Sequence, residues 1–195
     1  MRKIALTGPS GVGKGYVSAI LVKKGYPVLD TDALVHALYC GGELPRQIAG
    51  VFGKEVLAPD GSVDRAVLRE IVFSDSHALK KLNALVHAVV KEKVALWLCE
   101  REEEEHILAF VDVPQLFEAN MQGDFDCTVA VTASDEMRLQ RICARDGMDE
   151  HAARLRMKNQ MTVEMYRKRC DYTVNNDVNT DLETQIDTLI KTILK

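Results

Sequence analysis

The 195-residue sequence predicts an α/β fold: a parallel sheet of about five strands with helices on both faces. Short apolar runs of strand length alternate with longer stretches of helical spacing along most of the chain. Residues suited to chemistry fall just after those runs, where the carboxyl ends of parallel strands gather a site. A glycine-rich segment stands between the first such run and the first helix, the context that gives a phosphate-binding loop its meaning.

The elements follow in order. Ile4-Ala5-Leu6 is a buried strand, and Gly8-Pro9-Ser10-Gly11-Val12-Gly13-Lys14-Gly15 follows it. Val17, Ile20 and Leu21 recur at i, i+3, i+4, so a helix starts near Gly13 and packs back on the strand. Val28-Leu29 is a second strand ending in Asp30-Thr31-Asp32. Residues 33–100 are helical, interrupted by a turn at Pro59-Asp60-Gly61, with helices over Asp64–Phe73 and Ala78–Leu98. Ile107–Val111 and Cys127–Val131 are the third and fourth strands, the third ending at Asp112. A helix spans Asp135–Arg145, a break falls at Asp146-Gly147, and one further helix spans Glu150–Arg169. Tyr172–Val174 is the fifth strand and Asp181–Leu194 a closing amphipathic helix.

Size and composition bound the rest. The length suits one domain, 47% apolar and 28% charged residues are ordinary for a globular protein, and a net charge of −4 argues against a general nucleic-acid binder. Five scattered cysteines form no Cys-x-x-Cys pair, so reduced, mostly buried thiols are expected. The chain enters a strand at once and no apolar run approaches the ~20 residues of a membrane span, so the expectation is a cytoplasmic protein without a membrane partner, monomeric by default.

The glycines of the loop let successive backbone N–H groups face an anion, the helix N-terminus adds partial positive charge, and Lys14 reaches the outer phosphates. The commonest form of the loop continues with Ser or Thr, whose hydroxyl ligates Mg²⁺. Here Gly15 and Tyr16 stand instead, which bears on the metal and not on phosphate binding. Asp32 is placed either as a base accepting a hydroxyl proton or as the cap of the helix that opens at Ala33. Asp30 is either a metal- or water-positioning acid or a solvated loop residue. Asp112 is a candidate Mg²⁺-associated acid, acting through water, or a chance acid at a strand end. Arg138, Arg141 and Arg145 share one helix face, as a lid over triphosphate or as a solvated basic stripe. His87 lies on a mostly apolar helix, where a histidine is commonly structural.

With these residues in view, the chain resembles the dephospho-CoA kinase family over nearly its whole length. The likeness covers Leu6-Thr7-Gly8 through Lys14, Val28–Asp32, and Asp60-Gly61-Ser62-Val63-Asp64-Arg65-Ala66-Val67-Leu68. It continues through Leu82–His87, Asp112-Val113-Pro114-Gln115-Leu116-Phe117-Glu118, Arg141, Arg145, Gln160, Asp171-Tyr172 and Asn176. The Asp-Gly-x-x-x-Arg-x-x-Leu and Pro-x-Leu-Phe-Glu patterns are far more specific than the phosphate loop. The resemblance implies a phosphate-loop nucleotide-kinase fold of three layers: a core at about 1–32 and 106–195, a helical acceptor-binding insertion at about 33–100, and a lid at about 141–155. It implies transfer of the γ-phosphoryl of ATP, with Mg²⁺, to the ribose 3′-hydroxyl of dephospho-CoA. Gly8, Gly11, Val12, Gly13, Lys14, Gly15 and Tyr16 would hold ATP, with Asn176 near the adenine. Asp32 would be the base, Arg141 and Arg145 would act from the lid, and Arg65 and His87 would enclose the acceptor. The chain departs from the family pattern at Gly15-Tyr16 for Ser-Thr, Ala88 for Pro, Gln115 for Leu, Tyr166 for a basic residue and Val178 for Gly. A binder without turnover, and a kinase for another small acceptor such as a nucleoside monophosphate or shikimate, are the alternatives.

Overall fold

The computed structural model describes residues 1–195. Five strands, β1 (Arg2–Thr7), β2 (Val28–Asp30), β3 (Leu108–Asp112), β4 (Cys127–Thr132) and β5 (Tyr172–Asn175), form a sheet in the order β2-β3-β1-β4-β5. β1 pairs in parallel with β3 and β4, and β4 with β5. Ile4, Ala5 and Leu6 are all fully buried. Successive strand side chains point to opposite faces, so both faces of the sheet are covered, as parallel pairing requires.

The chain divides into two compact units, one made of residues 1–28 and 101–195 and the other of residues 29–100. In the first, α1 (Lys14–Lys23) buries Val17, Ile20 and Leu21, the spacing read from the sequence. These join Ile4, Leu6, Val129 and Val131 of the sheet and Ile186, Leu189, Ile190 and Ile193 of α9 (Leu182–Ile193) in one core. In the second unit, α2 (Thr31–Cys40), α3 (Leu44–Phe52), α4 (Arg65–Ser74) and α5 (Ser76–Glu103) follow one another. The buried residues of α5 (Ala78, Leu82, Val86, Val90, Val94 and Leu98) fall at every fourth position, one stripe down a 28-residue helix. The turn at Pro59–Gly61 is closed by a bridge between Leu57 and Val63, and Asp64 caps α4 by accepting from the N–H groups of Ala66 and Val67.

Two expectations are corrected. The helix expected over Glu150–Arg169 is two, α7 (Glu150–Lys158) and α8 (Val163–Arg169), after α6 (Asp135–Asp146). Thr162 breaks it by taking an extended backbone and capping the N–H of Met165. The five cysteines are free but not mostly buried: Cys40 and Cys99 are exposed, Cys143 and Cys170 are intermediate and only Cys127 is buried. No helix is long and apolar enough to cross a membrane.

Candidate active site

The phosphate loop leaves β1 at Thr7 and enters α1 at Lys14. Gly8, Gly11 and Gly13 have φ of +147°, +84° and +85°, backbone that residues with a Cβ rarely adopt. Space forbids a side chain as well. A Cβ at Gly8 would meet the Val131 carbonyl, one at Gly11 would lie 2.6 Å from the Arg138 carbonyl oxygen, and one at Gly13 would meet the Asn176 amide. Three glycines are thus fixed both by backbone conformation and by what is packed against them.

What packs against the loop also orients it. The Ser10 carbonyl accepts from Arg138 Nε at 3.0 Å, and the Gly11 carbonyl from Arg141 Nη1 at 3.4 Å. The Val12 carbonyl accepts from Asn176 Nδ2 at 2.9 Å and from Arg141 Nη1 at 3.2 Å. Three successive carbonyls are therefore turned toward the protein. Gln160 grips Ser10 twice, accepting from its N–H and donating to its hydroxyl, each at 3.0 Å. Lys14 donates from Nζ to the Gly8 carbonyl at 3.1 Å, folding its ammonium back across the loop.

The arginine stripe divides. Arg138 is buried, its Nη1 on Asp135 at 2.7 Å, so this position is neither a solvated face nor an open lid. Arg141 joins the loop to the segment after β5, donating from Nη2 to the Asn176 carbonyl at 2.9 Å. Arg145 points elsewhere: its Nε and Nη2 hold both oxygens of Asp146 at 2.7 and 2.8 Å, and Arg156 shares that carboxylate. The two guanidiniums hold the Asp146 carboxyl below its ordinary range. Gly147, with φ +63°, ends α6 here. Asn176 is buried and its amide is spent on the loop. The spacing of the arginines gave their common face, but not that Arg138 would serve the loop, because its partner Ser10 lies 128 residues away.

Asp112 ends β3 opposite Leu6 and is buried. Gly15 is exposed with nothing within 4 Å of a Cβ built on it, and Tyr16 beside it is 62% exposed. No group of three or more His, Cys, Asp or Glu side chains could hold a metal ion.

In the other unit the cap of α2 is Asp30, whose Oδ1 accepts from the N–H groups of Asp32 at 2.8 Å and Ala33 at 3.1 Å. Asp32 therefore does not cap the helix, and Asp30 does not sit in a loop. Asp32 is an exposed carboxylate in the first turn. Arg65 opens α4, with Nη1 3.3 Å from His36 Nδ1 and its guanidinium 5.9 Å from the centre of the Tyr39 ring. His87 is half-buried on α5 beside the Val86 stripe.

The family model described as dephospho-CoA kinase matches residues 2–181. The chain belongs to the dephospho-CoA kinase family. It is 36% identical over 177 residues to a dephospho-CoA kinase of Anaeromyxobacter dehalogenans, covering 90% of this chain and 84% of that one. The solved structure of TT1252 from Thermus thermophilus superposes with a TM-score of 0.79 at 34% identity, over 99% of this chain and 96% of that one. Dephospho-CoA kinase from Campylobacter jejuni gives 0.72 at 24% identity over 98% and 96%, a likeness of fold. Membership makes this chain an ATP-dependent kinase of the family.

Proposed function

We propose that the protein transfers the γ-phosphoryl group of ATP to the ribose 3′-hydroxyl of dephospho-CoA, giving coenzyme A and ADP, as a cytoplasmic monomer. The observation that carries the ATP half is the loop whose carbonyls at Ser10, Gly11 and Val12 are all held by side chains behind it. Backbone turned this way presents N–H groups on its other side, an anion cradle organised before the ligand arrives. Lys14 leaves the Gly8 carbonyl for the outer phosphates. Asp32 takes the proton of the attacking hydroxyl, a role open to it because Asp30 does the capping. Arg65 and His87 belong to the acceptor side. Asn176 and Arg141 hold the ATP loop from behind, and Arg145, released from Asp146, supplies a further cation to the triphosphate.

Mg²⁺ fits this chain in one form. With no hydroxyl at Gly15 and no cluster of ligating side chains, the protein's offer is the Asp112 carboxylate. Such a donor set suits an ion held mainly by phosphate and water oxygens, which magnesium favours. When bound, the ion neutralises charge on the β- and γ-phosphate oxygens.

The test is a coupled ADP-release assay with ATP and Mg²⁺, offering dephospho-CoA beside AMP, UMP, CMP and shikimate. Turnover with dephospho-CoA alone is expected. Turnover with another acceptor, or ATP binding without turnover on any, would overturn the assignment of substrate or of activity.

A further inference from the structure

A cavity of about 590 Å³ lies among the start of α6, the end of α7, the start of α8 and Asp177 after β5. None of its walls is a residue of the phosphate loop, nor is any of them Arg141 or Asn176. Four cations line it: Arg138, Arg154, Lys158 and Arg167. Its three carboxylates are already engaged. Asp135 accepts from Arg138, Asp177 accepts from the Ser134 N–H and hydroxyl, and Glu164 faces Arg167 at 3.6 Å. Arg154 is tied to Glu150 at 2.6 Å, but Lys158 has no ion-pair partner. Arg138 is 2% exposed, and while its Nε and Nη1 are used, its Nη2 is buried with no hydrogen-bond partner. A buried guanidinium with an unspent donor is costly unless something completes it.

We propose that this cavity is a second anion site, separate from the ATP phosphates, that takes a small phosphate-bearing ligand. Four cations face three carboxylates in its wall, and the buried donor left unspent there is the Nη2 N–H of Arg138, so an anion and not a cation completes it, and planar guanidinium groups suit phosphate oxygens. Arg138 forms the wall of the cavity and also holds the Ser10 carbonyl of the phosphate loop. Occupancy at the cavity is therefore felt at the loop. An anion drawn to this guanidinium cancels positive charge behind the ATP phosphates, so the two ligands weaken each other, and by linkage they do so equally.

The test uses the full chain saturated with a non-hydrolysable ATP analogue, so that the phosphate loop is filled. Inorganic pyrophosphate and, in a separate arm, ribose 5-phosphate are titrated by calorimetry. Binding of pyrophosphate alone identifies a site for the free anion; tighter binding of ribose 5-phosphate identifies one for a phosphorylated organic molecule, and both support the site. The double variant Lys158→Ala, Arg167→Ala should lose roughly tenfold or more in that affinity, a factor typical of losing charge-assisted contacts, and keep wild-type affinity for the ATP analogue in the absence of pyrophosphate. If that variant does not fold, the charge reversal Lys158→Glu at an exposed position supplies the same comparison. Saturating pyrophosphate should raise the dissociation constant of the analogue about fivefold to a plateau in the wild type and not in the variant. No binding to the nucleotide-filled protein in either arm, affinity unchanged by the variants, or a rise without plateau would each overturn the proposal. Turnover of dephospho-CoA plays no part in these readouts, so the site and the proposed activity fail or stand separately.

Discussion

The Val12 carbonyl, in a residue only 1% exposed, accepts two hydrogen bonds, from Asn176 Nδ2 at 2.9 Å and from Arg141 Nη1 at 3.2 Å. Two donors on one buried acceptor make a specific pattern of coupling. Asn176→Ala removes a neutral bond and leaves the carbonyl served by Arg141, a loss of about 1 kcal/mol. Arg141→Ala removes charge-assisted bonds to Gly11, Val12 and the Asn176 carbonyl but leaves the Val12 carbonyl served by the amide, a loss of roughly 1.5–3 kcal/mol. In the double variant the carbonyl is orphaned in the interior, which adds roughly 1–3 kcal/mol that neither single change incurs. The double variant should therefore be less stable than the sum of the singles by about 1 kcal/mol or more, measured by urea denaturation of all four proteins. Its ATP affinity, measured by calorimetry, should fall by more than the product of the two single effects. Additivity within ~0.3–0.5 kcal/mol would refute the shared-acceptor argument. Turnover lost in Arg141→Ala with stability unchanged would make Arg141 a contact of the triphosphate and not a support of the loop.

Three further outcomes are expected. Asp32→Asn should lower turnover with dephospho-CoA by about 100-fold or more while ATP affinity and melting temperature hold, since Asp30 does the capping; Asp30→Ala should instead cost about 1 kcal/mol of stability. Gly15→Ser meets no neighbour, so calorimetry should find tighter binding of ATP with Mg²⁺ present and no change with EDTA; no difference between the two conditions would show that a hydroxyl here does not reach the ion. In a short alkylation pulse at pH 8 read by mass spectrometry, exposed Cys40 and Cys99 should react first. Burial pushes the thiols of Cys127 and Cys170 up to about 11, so both stay protonated at pH 8 and react faster only as pH rises toward that value; early labelling of either would contradict the packing around it.

The alternation of strand and helix was legible because the central strands β1, β3 and β4 are short and largely buried on both faces, while the helices are longer and periodic. The loop was legible for a different reason. Its glycines stand where φ is positive and where Val131, Arg138 and Asn176 leave no room for a Cβ, so residue type and geometry coincide. The break between α7 and α8 was hidden because its signal is one capping threonine inside an otherwise helical stretch. Of the two readings of Asp32 the cap falls away, since Asp30 and Asp32 both suit an N-cap and only the backbone at Asp30, extended at ψ 112°, selects one. Arg138, Arg141 and Arg145 illustrate the limit best. Spacing puts three arginines on one face, but whether each meets a carbonyl, a carboxylate or water depends on Ser10, Asn176 and Asp146, and only the last is a neighbour in sequence.

The loop's supports explain why the same positions serve binding and stability together. A chain that curls so that N–H groups converge on an anion must send its carbonyls the other way, into the protein, where each needs a donor. Ser10, Gly11 and Val12 find theirs in Arg138, Arg141 and Asn176, two of which are cations. A guanidinium in that place does two things at once. It satisfies a carbonyl that would otherwise be buried unpaired, and it sets a fixed positive charge behind the N–H groups, in a setting where water screens it little. Neutral donors of the same shape would satisfy the carbonyls but supply no field. On the proposed function, the ATP phosphates would meet Lys14, the start of α1 and a second rank of charge that they need not touch. Affinity for the triphosphate and order in the loop would then rest on the same hydrogen bonds.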